Sequence, residues 1–159
     1  MAVTTDILSA WRAPRASIRR HLARGVSEPF AFALLVVFLI LAFTGQWPVA
    51  AREAWLAQEP SALPRLLARG LAALATIPFW YGLAALSRLT ARAFGGQGSW
   101  YGARLALFWA LAVTGPLMLL LGLVEAMIGP GPQLLATRVV VGAVFLLLWL
   151  VMLHEEERG

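Results

Sequence analysis

The chain has 159 residues, of which 60% are hydrophobic and only 13% charged, with a formal net charge of +5 and a mean hydropathy of +0.77. A soluble domain carries roughly 45–50% apolar and about 25% charged residues, and a small domain cannot hide such a surplus in its own core. A soluble enzyme, a disordered tail and a disulfide-rich module are therefore excluded, and lipid is the natural solvent for most of this polypeptide.

The first 28 residues form a basic segment containing Arg12, Arg15, Arg19, Arg20 and Arg24. Ile7, Leu8 and Trp11 share one helical face, as do Ile18, Leu22 and Val26 beyond Pro14. Because a proline disrupts a helix interior, the pattern predicts two short amphipathic pieces lying on a membrane surface. In that reading Arg15, Arg19, Arg20 and Arg24 face anionic headgroups.

Four apolar stretches follow, each near the roughly 20 helical residues needed to cross the hydrocarbon core. They cover about 29–47, 70–89, 105–124 and 134–153. They lack the alternation of a membrane barrel, so the expected architecture is all-α, a four-helix transmembrane domain over 29–154. The passage after the first span predicts a short interfacial helix, a proline break and entry to the second. Residues Gly129–Pro132 predict a tight turn, and residues 155–159 an acidic, solvated tail. Val49-Ala50-Ala51 resembles a signal cleavage site, but the charged region before it is too long for a secretory signal, so a retained first span is expected.

All thirteen basic residues are arginine. They lie mostly between the spans, where they orient helices, and no soluble basic face for nucleic acid is expected. Nine arginines fall on the side of the N-terminal segment, the second loop and the C-terminus, against four on the other. This bias predicts both termini in the cytoplasm, and the Ala-, Leu- and Arg-rich usage, without lysine or asparagine, points to a GC-rich bacterial genome and so to a bacterial inner membrane.

Chemistry-bearing motifs are sparse. There are no cysteines, hence no disulfides or thiolate sites. Neither paired carboxylates, a zinc-binding helix motif, a Walker loop nor a nucleophile elbow is present, so no catalytic, metal or cofactor site is expected. Glu125, just past the third apolar run, is the one candidate intramembrane polar site. The run Phe94-Gly95-Gly96-Gln97-Gly98-Ser99-Trp100-Tyr101 predicts a hairpin with Ser99 capping the next helix. Its glycine spacing is only a weak phosphate signal without a preceding strand. Gly102, Ala106, Ala110 and Thr114 recur every four residues as a small-residue helix-packing face. Pro78, Gly115 and Pro116 predict kinks in the second and third spans.

The basic stretch PRASIRRHLARGVSEPF, the hairpin FGGQGSWYGARLALFWA and the Gly115-Pro116 pair resemble the bacterial branch of the Yip family of integral membrane proteins. The resemblance implies a cytoplasmic N-terminus and no enzymatic activity. Family members have five spans, whereas four are read here, and a long cytoplasmic N-terminal domain is lacking, so no Rab-type binding is carried over. The expected role is non-catalytic: a scaffold, assembly or membrane-organising protein working through helix–helix contacts, with anionic lipid and other membrane helices or a second copy as partners. The alternatives are an accessory subunit of a larger respiratory or photosynthetic membrane complex, and a small transporter or channel.

Overall fold

A computed structural model describes residues 3–158. Among them there are seven helices and no strand: α1 (Val3–Arg12), α2 (Pro14–Leu22), α3 (Glu28–Leu56), α4 (Leu63–Ala75), α5 (Ile77–Ala93), α6 (Trp100–Met127) and α7 (Pro132–Glu157). Four rods, namely α3, α4 with α5, α6 and α7, are long and apolar enough to cross a membrane. The chain is a multi-pass membrane protein built as a helical bundle.

α6 is the hub. Of its most apolar stretch 56% is buried inside the protein, against 11% for the α4–α5 rod. The reason lies in its small residues. α3 and α6 cross so closely that a Cβ on Gly122 would run into the carbonyl oxygen of Gly45, and one on Gly45 would meet the carbonyl of Met118. Without water to drive apolar side chains together, close backbone approach supplies the dispersion contacts that hold membrane helices.

Two boundaries differ from the sequence expectation. α3 does not stop near Trp47; it passes through Pro48 to Leu56, 29 residues or about 43 Å at 1.5 Å per residue. Val49, Ala50 and Ala54 are buried, and packing of this alanine-rich turn outweighs the hydrogen bond that Pro48 removes. The interfacial helix expected after the first span is thus the end of α3 itself. The second span, in turn, is broken at Thr76, where Pro78 in the first turn of α5 deprives α4 of continuation. The Thr76 hydroxyl donates to the carbonyl of Ala73 at 2.6 Å and accepts from the Trp80 indole at 3.1 Å, so the break is internally satisfied. α6 runs unbroken through Gly115 and Pro116.

The N-terminal segment also departs from expectation. α1 and α2 meet at Ala13–Pro14 but do not lie free on a surface. Ile7, Ala10 and Ile18 join the core, and α2 packs on α6 and α7. The buried Ser17 hydroxyl accepts from the Trp109 indole of α6 at 3.0 Å.

Overpacking a close contact typically costs about 1–3 kcal/mol. Gly122→Val is therefore expected to lower stability by about 2 kcal/mol in detergent-solubilised thermal unfolding. Gly82→Ala, at a position in α5 with nothing within 4 Å, is the control and should hold or raise the melting temperature, since alanine favours a helix over glycine. Equal melting temperatures for both variants would show that the α3–α6 crossing is not tight.

Candidate functional site

The densest polar constellation lies at one end of the bundle, where α1, α2, the α5–α6 hairpin and the last turn of α7 converge. α7 ends in Glu155, Glu156 and Glu157, at the pole of a helix where the macrodipole favours cations. Each carboxylate is held by a different set of contacts. Glu155 pairs with Arg19 of α2, with Arg15 at 4.0 Å. Glu156 Oε1 accepts from the backbone N–H of Ser99 at 2.6 Å and from its hydroxyl at 3.3 Å. Glu157 Oε2 accepts from the N–H of Gly98 at 2.9 Å and forms an ion pair with Arg88 of α5 at 2.8 Å. Both side chains of that pair are about one-tenth exposed.

The glycine hairpin thus has a specific task. The Ser99 hydroxyl accepts from the N–H of Gly102 and caps α6, while the N–H groups of Gly98 and Ser99 point at carboxylates. This is the geometry by which helix N-termini hold anions, and here the anions belong to the chain itself. A Cβ on Gly96 would strike the Glu157 side chain, and one on Gly98 or Gly102 the Glu156 side chain. The acidic tail expected to be solvated is instead an internal plug. Oε2 of Glu156 and Oε1 of Glu157 are buried and have no hydrogen-bond partner among the described residues. The His154 ring is exposed.

The four arginines proposed as a surface anchor divide by role. Arg15 and Arg19 turn toward Glu155, Arg20 donates to the Ser9 hydroxyl at 2.7 Å, and Arg24 sits 3.3 Å from Nδ1 of His21. His21, unremarked in the sequence, is 4% exposed and packs edge-on to Trp109 at 4.4 Å between ring centroids, with Phe30 at 5.3 Å. Burial, then the positive charge of Arg24, lowers its pKa from 6.5 to about 4. Its signal was there to be read: it is the one titratable residue on the apolar side of α2.

At the opposite end, Arg65 bridges Glu53 and Glu59, and Arg69 joins Glu53 at 2.8 Å. Glu125 is not a lone intramembrane carboxylate, because Arg138 donates to its Oε1 at 3.1 Å. The small-residue face of Gly102, Ala106, Ala110 and Thr114 is wholly buried within the chain, with the Thr114 hydroxyl donating to the carbonyl of Ala110 at 2.6 Å. As a surface for a partner protein it is unavailable, since the chain's own helices cover it. Pro78 and Pro116 both lie on the outside of the bundle.

No protein-family model matches the chain, and neither the curated proteins nor the solved structures yielded a match.

Removing one partner of a buried pair leaves an uncompensated charge and typically costs 3–5 kcal/mol. Glu157→Ala is thus expected to destabilise by about 3 kcal/mol, with most of the loss recovered in the double variant Glu157→Leu, Arg88→Met, as followed by thermal unfolding. A double variant no more stable than the single one would contradict the buried-charge account. For His21, an unfolded α2 takes up a proton between pH 6.5 and about 4 while the docked one does not. Docking of α2 is accordingly strongest above pH 6.5 and weakens as pH falls through that window. Hydrogen exchange of α2 amides reads this directly, and His21→Phe should flatten the pH dependence.

Proposed function

We propose that the chain is a non-catalytic, Yip-type protein of the bacterial inner membrane, with both termini in the cytoplasm, that acts as a scaffold, assembly or membrane-organising factor. The observation that carries this reading is the clamped N-terminal platform. α2 is fixed to the bundle end through Arg19–Glu155 and Trp109–Ser17, and α1 packs on α2 and α6. Their outer side presents Leu8 and Trp11 beside Arg12 and Arg20 around an open hollow of about 640 Å³. An apolar residue and an indole among guanidinium groups suit the headgroup layer, where the ring settles at the interface and the cations meet anionic lipid. The family resemblance and the nine-to-four arginine bias support the same reading.

Helix partners must then be sought on the outer faces of α4, α5 and α7, because the small face of α6 is covered. A scaffold isolated in mild detergent is expected to run as a monomer or small homo-oligomer, whereas fixed stoichiometry with a larger complex would favour the accessory-subunit reading.

The platform makes a direct prediction. In nanodiscs of phosphatidylglycerol, trypsin should cut after Arg12 at least tenfold more slowly than in phosphatidylcholine, and about 0.5 M salt should erase the difference by screening. Trp11→Ala combined with Arg20→Gln should restore rapid cleavage. Equal rates in the two lipids would remove the platform from the function.

A further inference from the structure

A second feature lies away from that platform, in the cleft between α5 and α7 above the floor of α6. We propose that this cleft is a binding site for one phospholipid of net negative headgroup, with its phosphate on Arg138 and an acyl chain running down past Gly142 to Phe145. Three observations place it. The first is shape and lining: an open cleft of about 270 Å³, walled by Trp80 of α5, Leu111 and Met118 of α6, and Val141 and Phe145 of α7, with Arg138 as its one charged lining residue. Arg138, Val141, Gly142 and Phe145 follow at the i, i+3, i+4 and i+7 positions of one helical face, so the charge and the apolar slot are aligned along the same rod.

The second is charge. Two guanidinium groups meet Glu125 here, one at its carboxylate and one at its backbone carbonyl. Arg138, about half exposed, donates from Nη2 to Glu125, while Arg52 donates from Nη1 to the Glu125 carbonyl at 3.3 Å and makes no ion pair among the described residues. Arg52, Glu125 and Arg138 together carry one net positive charge, and a phosphodiester supplies the one negative charge that balances it. Arg138 also stands six residues from the start of α7, about 9 Å along the axis, which suits a cation reaching back toward headgroups rather than one stranded in hydrocarbon.

The third is Gly142. A glycine inside a helix costs about 1 kcal/mol relative to alanine. Gly45, Gly115 and Gly122 each have a neighbour that a Cβ would strike, but a Cβ on Gly142 meets nothing within 4 Å. Gly82 of α5 is open in the same way, but of the two only Gly142 lines the cleft, where the missing side chain leaves room for an acyl chain.

The site is independent of the scaffold reading and can fail without it. The test uses the full-length protein in neutral detergent, with native mass spectrometry for occupancy and thermal unfolding for stabilisation, on addition of phosphatidylglycerol, phosphatidylcholine or inorganic phosphate. One phosphatidylglycerol should bind at least tenfold more tightly than phosphatidylcholine, and inorganic phosphate should give no protection. Gly142→Leu, at a position where a Cβ meets nothing within 4 Å, fills the slot and should abolish the bound lipid and its stabilisation while leaving the lipid-free melting temperature unchanged or higher. Arg138→Gln should cut the preference for phosphatidylglycerol to less than threefold. Equal affinity for the two lipids, protection by inorganic phosphate alone, or lipid retained by Gly142→Leu would each overturn the proposal. Should Gly142→Leu fail to fold, a tenfold preference persisting in Arg138→Gln overturns it equally.

Discussion

Three carboxylates in a row at the C-terminal pole of a helix are held at its electrically unfavourable end, and no residue of that helix relieves them. Relief has to come from elsewhere in the fold, and the arrangement of that whole end follows from where it comes. Arg19 brings α2 down onto α7, Arg88 draws in α5, and the N–H groups of Gly98 and Ser99, just ahead of α6, complete the shell. A helix N-terminus meeting a helix C-terminal carboxylate is favourable on both sides, since each supplies what the other lacks. The glycines at 96, 98 and 102 are the steric condition for this closure, because any side chain there would occupy the space of the carboxylates.

The opposite end is built with looser means. Arg65, Glu53 and Glu59 are each about one-third exposed or more, and the Glu59 carboxyl is held below the usual range by its hydrogen bonds to Arg65. Exposed pairs of this kind contribute little stability. One end is therefore a dry, interlocked assembly that fixes the N-terminal helices, and the other keeps its charges within reach of headgroups. This asymmetry parallels the division of the arginines, with the larger group at the interlocked end.

Much of the architecture was legible in the sequence because lipid imposes so strong a filter: long uncharged runs have one structural solution, a helix, and Ser99 announced the cap of α6 by its position. The exact extents were not legible. Pro48 reads as a stop on local grounds, yet the buried faces of Val49, Ala50 and Ala54 carry α3 past it. The small face of α6 was visible as a pattern, but its occupant was not: period and residue size say that helices approach, without saying whether they belong to the same chain. Gly45 and Gly122, the tightest crossing, escaped notice because each is an isolated glycine in its own helix, and only their pairing in space gives them meaning. The glutamate triplet looked like solvated helix end. Its conflict with the macrodipole was the available warning, since three such charges at that pole call for partners.

Burial inside the bundle also limits where a partner can act. α6 spends its close-packing surface on α3 and α7, so the surfaces left for lipid or another protein are those of α4, α5 and the outer side of α7. Those surfaces are large and aliphatic, with Leu67, Leu71, Leu74 and Phe79 exposed along the broken second span and Leu146, Leu147 and Leu150 along α7. Bulky aliphatic faces pack against lipid as readily as against a helix, since hydrocarbon offers no hydrophobic gain from exchanging one for the other. Selectivity on such faces must come from shape or charge. The break at Thr76 supplies shape, since α4 packs on α3 and α5 on α6, and the excess of arginine at both ends supplies charge. A protein arranged in this way distinguishes among its neighbours chiefly at the membrane boundaries, where guanidinium groups, indoles and headgroups meet, and far less along the hydrocarbon-facing lengths between them.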